Sequence, residues 1–254
     1  MQHPADMTNT EKVAFAPDDS GSQVPWTRRD MFVATAVGFV LVLGLAATIS
    51  LALRLYHELT GAQWATRLLG IDVLIGELGL LLPVWLLGVR KYCLSWSSVG
   101  FRSFDVRRAA GFGCLFLVGS FAFNFIWAIL LLLVTGQQTQ PDVLPYFGGG
   151  RGDLPLALLT VSLAAPIAEE AFFRGYLFAG LRRYTSFRGA VIISAALFAL
   201  VHVLPTSMPP LFLLGVLFAL LYEQTGSIWP AVILHSAINT LAILASYLLQ
   251  TLQL

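Results

Sequence analysis

Long apolar runs recur along the chain, and they constrain its fold more than any other feature. A helix needs about 20 apolar residues to cross the hydrocarbon core of a bilayer. Five runs reach that length, at 31–56, 68–89, 109–135, 154–181 and 228–252, and two shorter runs lie at 190–204 and 208–222. With 57% hydrophobic and 11% charged residues, too few polar side chains remain to cover a water-soluble globule. We predict an all-α fold, a polytopic transmembrane bundle of about seven to eight helices.

The basic residues are distributed unevenly around these runs. Lys and Arg accumulate in loops on the cytoplasmic side of a membrane. If the N-terminus lies in the cytoplasm, cytoplasmic segments hold 11 Lys and Arg residues, and the opposite loops hold two. The sequence therefore predicts an integral membrane protein with a cytoplasmic N-terminus, most simply in a prokaryotic plasma membrane.

Composition divides the chain into four parts. Residues 1–29 are rich in Asp, Ser, Pro and Thr, which is typical of a disordered tail, here on the cytoplasmic side. Residues 136–153 are rich in Gln, Pro and Gly, which indicates an external loop. This loop separates an N-terminal group of transmembrane helices, 30–135, from a C-terminal group, 154–254, and no internal repeat relates the two groups.

The two shorter runs indicate a cavity. Each spans only about 22 Å as a helix, less than the thickness of the hydrocarbon core, so neither is expected to cross it fully. Pro205, Pro209 and Pro210 break the chain where the two runs meet. Unpaired backbone at membrane depth is stable only where it is buried in protein or lines a water-filled cavity. We therefore expect a polar cavity near His202.

Two acids lie in the apolar runs of the N-terminal group, Asp72 and Glu77. A charge at the centre of a transmembrane helix costs about 2.5 to 3.5 kcal/mol, so such residues are usually paired or functional. Asp72 is near the end of its run, and neither acid belongs to a recognisable motif. These positions favour a structural or interfacial role for both acids.

The C-terminal group contains a larger set of polar residues within apolar runs. Taken pairwise, they have simple structural explanations. Residues four apart share a helix face, so Glu170 and Arg174 could form an ion pair, and His235 and Asn239 could hydrogen bond between helices. The full set is Glu169, Glu170, Arg174, His202, His235 and Asn239.

The depth of these residues in the membrane favours a catalytic role. At about 1.5 Å per residue, Glu169 and His202 each lie roughly 18 Å from the predicted cytoplasmic ends of their helices, and His235 roughly 10 Å. Three helices thus bring one carboxylate and two imidazoles to overlapping levels. A site that activates water requires such a convergence, which structural pairing alone does not explain.

At these residues the sequence resembles the CAAX prenyl protease and bacteriocin-processing family of intramembrane endopeptidases, also called the ABI or CAAX protease-like family. Three motifs occur in the family's order within about residues 154 to 245. They are Glu169-Glu170 with Arg174, Phe198 with His202, and His235 with Asn239. The resemblance implies a catalytic core at 154–254, and variable N-terminal helices at 30–135 in a fold that commonly has eight helices.

The resemblance also implies hydrolysis of a peptide bond by water without a covalent acyl-enzyme. Glu169 would be the general base, and His202 would help to hold and deprotonate the water. His235 and Asn239 would donate hydrogen bonds to the developing oxyanion. Arg174 would hold Glu170 or its helix in place, and Phe198 belongs to the supporting residues.

A metal cofactor is an open alternative. Glu169, His202 and His235 could form a zinc site with an open position for water. The HExxH signature is absent from the sequence, and the family has also been described as a metal-free glutamate-type protease. The sequence establishes no cofactor and leaves zinc as a possible one, and we favour the metal-free mechanism.

Two other classes of function fit parts of the sequence. One is a noncatalytic membrane scaffold or bacteriocin immunity factor, against which the complete motif set argues. The other is a transporter or proton relay, for which we would expect inverted repeats. For the protease, the expected partners are the lipid bilayer and a peptide or membrane-protein substrate near whose C-terminus the bond is cut, and no nucleic acid.

Overall fold

The computed structural model describes residues 24–61, 63–136, 144–147 and 154–252, and within these ranges it is helical and has no strand. The all-α prediction is confirmed. Six of the helices in these ranges are long and apolar enough to cross a membrane, and α5 is shorter. The helices are α1 (Arg28–Thr60), α2 (Leu68–Arg90), α3 (Val106–Thr135), α4 (Leu154–Leu181), α5 (Phe187–Val201), α6 (Pro205–Thr225) and α7 (Trp229–Thr251).

The expectation that the run 208–222 is too short to cross the membrane was wrong. The helix that contains it, α6, has 21 residues because it begins earlier, at Pro205. Pro209 and Pro210 lie in the first turn of its α-helical part, where the missing N–H of proline breaks no helical hydrogen bond. The other short run lies in α5, a helix of 15 residues, and its partial crossing of the membrane stays a prediction.

Helix α4 is the centre of the bundle, and it is the most buried of the candidate spans. It packs against α2, α5, α6 and α7, and its aromatic side chains form much of the core. Gly175 allows the turn at Trp96–Val99 to approach this helix closely, because a Cβ atom there would lie 2.1 Å from the Val99 carbonyl oxygen. The interior of the bundle is therefore built around one tightly enclosed helix.

The segment that precedes α1 packs against α4. Trp26 is fully buried, its indole Nε1 donates a hydrogen bond to the Tyr176 carbonyl at 3.1 Å, and its ring stacks on the Tyr176 ring at 4.9 Å. Gly180 leaves the space for this indole. Residues 24–29, assigned to the tail by composition, are thus ordered against the protein, and residues 1–23 lie outside the described ranges.

The start of α1 is also tied to the end of α2. The Asp30 carboxylate accepts hydrogen bonds from Lys91 Nζ at 2.6 Å and from the Tyr92 hydroxyl, and it forms a capping box with Thr27. The hydrogen bond to Asp30 raises the pKa of Lys91. These contacts fix the two N-terminal helices against each other at the end of the bundle where Trp26 lies.

Candidate active site

A cavity of about 420 Å³ opens between α2, α3, α4, α6 and α7, with His202 at the end of α5 in its wall. A cavity is therefore present near His202, as predicted, but its lining is less polar than expected. Most of its lining is apolar, and it includes Phe147 from the part of the predicted external loop that the structure describes. Its polar lining residues are Glu77, Asn124, Thr160, Glu169, His202, Ser207, His235 and Asn239.

Helix α4 changes its winding on both sides of the glutamate pair. Residues Ala165–Glu170 are α-helical, whereas the flanking segments Leu158–Ala164 and Ala171–Phe178 are π-helical. Such wider turns are rare and occur frequently at functional sites. Both glutamates are buried, with Glu169 facing the cavity, while Glu170 is not part of its lining.

Glu170 lies in a buried ion pair. Its Oε1 accepts a hydrogen bond from Arg174 Nη1 at 2.9 Å, and Arg174 Nη2 donates to the Gly215 carbonyl at 3.2 Å. The guanidinium also lies over the rings of Phe198 and Phe218, at 4.4 and 5.0 Å from their centroids. A buried charge is stable only when it is paired in this way. Because Arg174 also contacts Gly215, Phe198 and Phe218, the pair anchors α4 to α5 and α6.

His235 connects this ion pair to the cavity. Its Nδ1 lies 3.0 Å from Glu170 Oε1, and its ring stacks on Phe218 at 4.9 Å. Its other nitrogen, Nε2, lies 4.0 Å from Glu169 Oε2. A carboxylate can only accept, so Nδ1 carries a proton, and Nε2 can donate only when the ring is an imidazolium.

His202 is oriented by its own helix. Its Nδ1 lies 2.7 Å from the Phe198 carbonyl oxygen, one of the last carbonyls of α5, which lack helical donors. Since a carbonyl accepts, Nδ1 is the donor, and in the neutral ring Nε2 is left as an acceptor at the cavity wall. Phe198 also contacts the rings of His202 and His235 at 5.0 and 6.0 Å between centroids, so it packs both imidazoles.

Asn239 joins α7 to the first π-helical segment of α4. Its Nδ2 donates a hydrogen bond to the Val161 carbonyl at 2.8 Å, and the side chain lines the cavity. An amide nitrogen has two N–H groups. One is therefore used to hold α4, and the second can serve a ligand.

The comparisons with known proteins match this part of the chain. Residues 151–241 match the family model of the type II CAAX prenyl endopeptidases that are Rce1-like. Over these residues the chain is similar to that family. The match contains all three motifs found in the sequence, from Glu169 to Asn239, so the Rce1-like core, residues 151–241, supplies most of the cavity wall.

Three bacterial proteins are similar to this chain over segments longer than the Rce1-like core. YdiL of Bacillus subtilis, whose name proposes a membrane peptidase, is 33% identical over 140 residues, 49% of this chain and 57% of YdiL. The membrane-embedded CAAX protease MroQ of Staphylococcus aureus is 26% identical over 156 residues, 59% of this chain and 57% of MroQ. The UPF0177 protein YxdF of Lactococcus lactis is 27% identical over 177 residues, 66% of this chain and 89% of YxdF.

The chain thus spans 57% of the length of each of the first two relatives. No solved structure matches it. The helices described above and these relatives identify an integral membrane protein.

The possible zinc ligands of the Rce1-like core do not converge. Zinc would require ligand atoms of Glu169, His202 and His235 at about 2.0 to 2.2 Å from one point. Among the described residues, no three His, Cys, Asp or Glu side chains form a group that could hold a metal ion. The residues do not fit the zinc site, and we derive no step of the chemistry through a metal.

The Rce1-like core does not make the whole site, because α2 contributes Glu77. The Glu77 carboxyl lies within hydrogen-bonding reach of the Glu169 carboxyl, and its side chain lines the cavity. The other N-terminal acid, Asp72, does not line the cavity; it is buried and accepts a hydrogen bond from Ser50 at 2.8 Å. The sequence does contain a signal for Glu77, since no basic residue lies one helical turn from it.

Proposed function

We propose that this protein is an intramembrane endopeptidase that hydrolyses a peptide bond near the C-terminus of a membrane-associated or lipidated protein or peptide. One observation carries the proposal. Glu169, His202 and His235 line a single cavity inside a membrane-spanning bundle, and hydrogen bonds orient both imidazoles. This arrangement supports the activation of water next to a peptide carbonyl.

In this mechanism Glu169 removes a proton from water. Its Oε2 is buried and has no hydrogen-bond partner among the described residues, so it can accept this proton. The neutral His202 accepts at Nε2 and holds the second proton of the water. The water oxygen attacks the carbonyl carbon, the C–N bond of the tetrahedral intermediate breaks, and Glu169 passes its proton to the leaving amine.

The oxyanion of that intermediate is stabilised from α7. His235 donates from Nε2 as an imidazolium, and its charge is balanced by the Glu170 carboxylate at Nδ1. Asn239 donates the N–H group that the Val161 carbonyl does not use. Glu170 and Arg174 act through His235 and through the packing of α4, and they do not line the cavity. Phe198 lines the cavity and packs both imidazoles.

The substrate is an extended segment with apolar side chains. The cavity offers a mainly apolar lining with its few polar groups close to Glu169, which suits a peptide that reaches the site from the lipid. The excess of Lys and Arg around the predicted cytoplasmic ends supports a cytoplasmic N-terminus in a prokaryotic plasma membrane.

The test compares purified wild type with Glu169→Gln in detergent, using a library of quenched fluorescent C-terminal peptides. We expect cleavage by the wild type and a loss of kcat of at least about 100-fold in the variant, the usual contribution of a general base. Glu223→Gln is the matched control, because Glu223 pairs with Arg182 at the surface and lies away from the cavity.

Thermal unfolding of all three proteins separates a loss of chemistry from a loss of folding. Cleavage by folded Glu169→Gln at the wild-type rate would refute the general-base assignment. A folded wild type that cleaves no peptide of the library would favour the noncatalytic scaffold or immunity factor.

A further inference from the structure

The contact between Glu77 and Glu169 joins the two halves of the chain inside the cavity. Glu77 lies on α2, in the N-terminal group of helices. Glu169 lies on α4, 92 positions further along the chain. Their carboxyl groups are within hydrogen-bonding reach, and both side chains line the cavity. The N-terminal helices therefore touch the residue to which the proposed function assigns water activation.

This contact has a restricted chemistry. Two ionised carboxylates repel each other, so a hydrogen bond between two carboxyl groups requires a proton on one of them. Among the described residues, Glu77 has no ion pair that could otherwise hold its charge. Glu169 also has His235 Nε2 at 4.0 Å from its Oε2, so the negative charge of the pair is favoured on Glu169.

We propose that Glu77 is a positioning residue, which donates a hydrogen bond from its neutral carboxyl group to Glu169 and holds the orientation of that carboxylate in the cavity. This inference rests on the proposed function of Glu169. A carboxylate at the end of a glutamate side chain rotates freely unless a neighbour holds it, and misplacement of a catalytic group by about 1 Å can cost 100-fold in rate. Glu77 acts through Glu169.

Two substitutions separate the hydrogen bond from simple packing. Glu77→Gln keeps the length of the side chain and a hydrogen-bond donor. Glu77→Leu keeps a similar side-chain volume but removes the donor. We expect Glu77→Leu to lower kcat by about 100-fold with little change in KM, and Glu77→Gln to restore most of that loss. Asp72→Asn is the matched control, because Asp72 is a buried acid on the same helix that does not line the cavity.

A second measurement does not depend on cleavage. The infrared carbonyl stretch of a protonated carboxyl group should be present in the wild type, absent in Glu77→Gln, shifted in Glu169→Gln and unchanged in Asp72→Asn. A wild-type kcat in Glu77→Leu would overturn the proposal, as would equal losses in the two Glu77 variants or an infrared band that Glu77→Gln leaves intact.

These results are distinguishable from failure of the proposed function. If folded Glu169→Gln cleaves at the wild-type rate, the proposed mechanism fails, whatever the Glu77 variants do. If Glu169→Gln is inactive and Glu77→Leu is fully active, the general base stands and only the role of Glu77 is rejected.

Discussion

His235 and Arg174 contact the same oxygen of Glu170, at 3.0 Å from Nδ1 and 2.9 Å from Nη1. A glutamate that does not line the cavity therefore sets both the protonated nitrogen of one cavity residue and the position of the buried arginine. The structure in this way separates the two adjacent glutamates, since Glu169 faces the cavity and Glu170 holds its wall.

Glu170→Gln should lower kcat more than it raises KM. The amide can turn its NH₂ group toward Arg174 or His235, and the neutral side chain no longer balances an imidazolium at His235. We expect a loss of kcat of about 100-fold, comparable to that from removing an oxyanion donor. Steady-state kinetics measure it, and an unchanged kcat in the folded variant would contradict the role of His235 as an imidazolium donor.

Arg174→Met should destabilise the fold strongly. It leaves the Glu170 carboxylate buried without a cation, and breaking a buried ion pair from one side costs about 3 to 5 kcal/mol. Arg182→Met removes an arginine from the partly exposed pair with Glu223, which is worth at most about 1 kcal/mol. Thermal unfolding in one detergent compares Arg174→Met with Arg182→Met. Equal decreases of Tm in the two variants would contradict this prediction.

Gly175→Ala should also destabilise the protein, for a steric reason. The added methyl group would lie 2.1 Å from the Val99 carbonyl oxygen, so either α4 or the turn at Trp96–Val99 must move. Gly113→Ala is the control, because no atom lies within 4 Å of the added group and alanine favours a helix by about 1 kcal/mol. The first substitution should lower Tm, and the second should leave it unchanged or raise it.

Chelators should leave the cleavage rate unchanged. The proposed chemistry uses the Glu169 carboxylate and the His202 imidazole, and the three candidate zinc ligands do not form a metal site in the described part of the chain. Dialysis against a strong chelator, followed by assay with and without added zinc, measures this. Loss of activity that zinc restores would replace the glutamate mechanism with a metal-dependent one.

The spans and the motif residues could be predicted from the sequence because both depend on local information. Apolar length determines which segments become membrane helices, and α4 begins and ends where its run does, at Leu154 and Leu181. The lining of one cavity by Glu169, His202 and His235 also followed from their positions along three helices. Their hydrogen bonds did not, because these depend on side-chain rotation and on carbonyls such as that of Phe198.

Features that depend on distant contacts were not predictable in the same way. Glu77 gains its role only because α2 packs beside α4, and a single apolar run gives no information about its neighbours. The start of α6 was missed for a local reason, since prolines end a helix in its interior but fit its first turn. The sequence predicts a break in the chain at these prolines, whereas they lie at the start of α6.

The Trp26 contact has a consequence for the order of folding. Trp26 and its hydrogen-bond acceptor Tyr176 are separated by 150 positions, so the ribosome completes one long before the other. The chain is synthesised from its N-terminus, so Trp26 is made before α4. The surface on which its indole packs forms only when α4 has entered the bundle. A fragment of residues 154–252 would leave Tyr176 and Gly180 uncovered, so the C-terminal group of helices should assemble only together with the chain that precedes it.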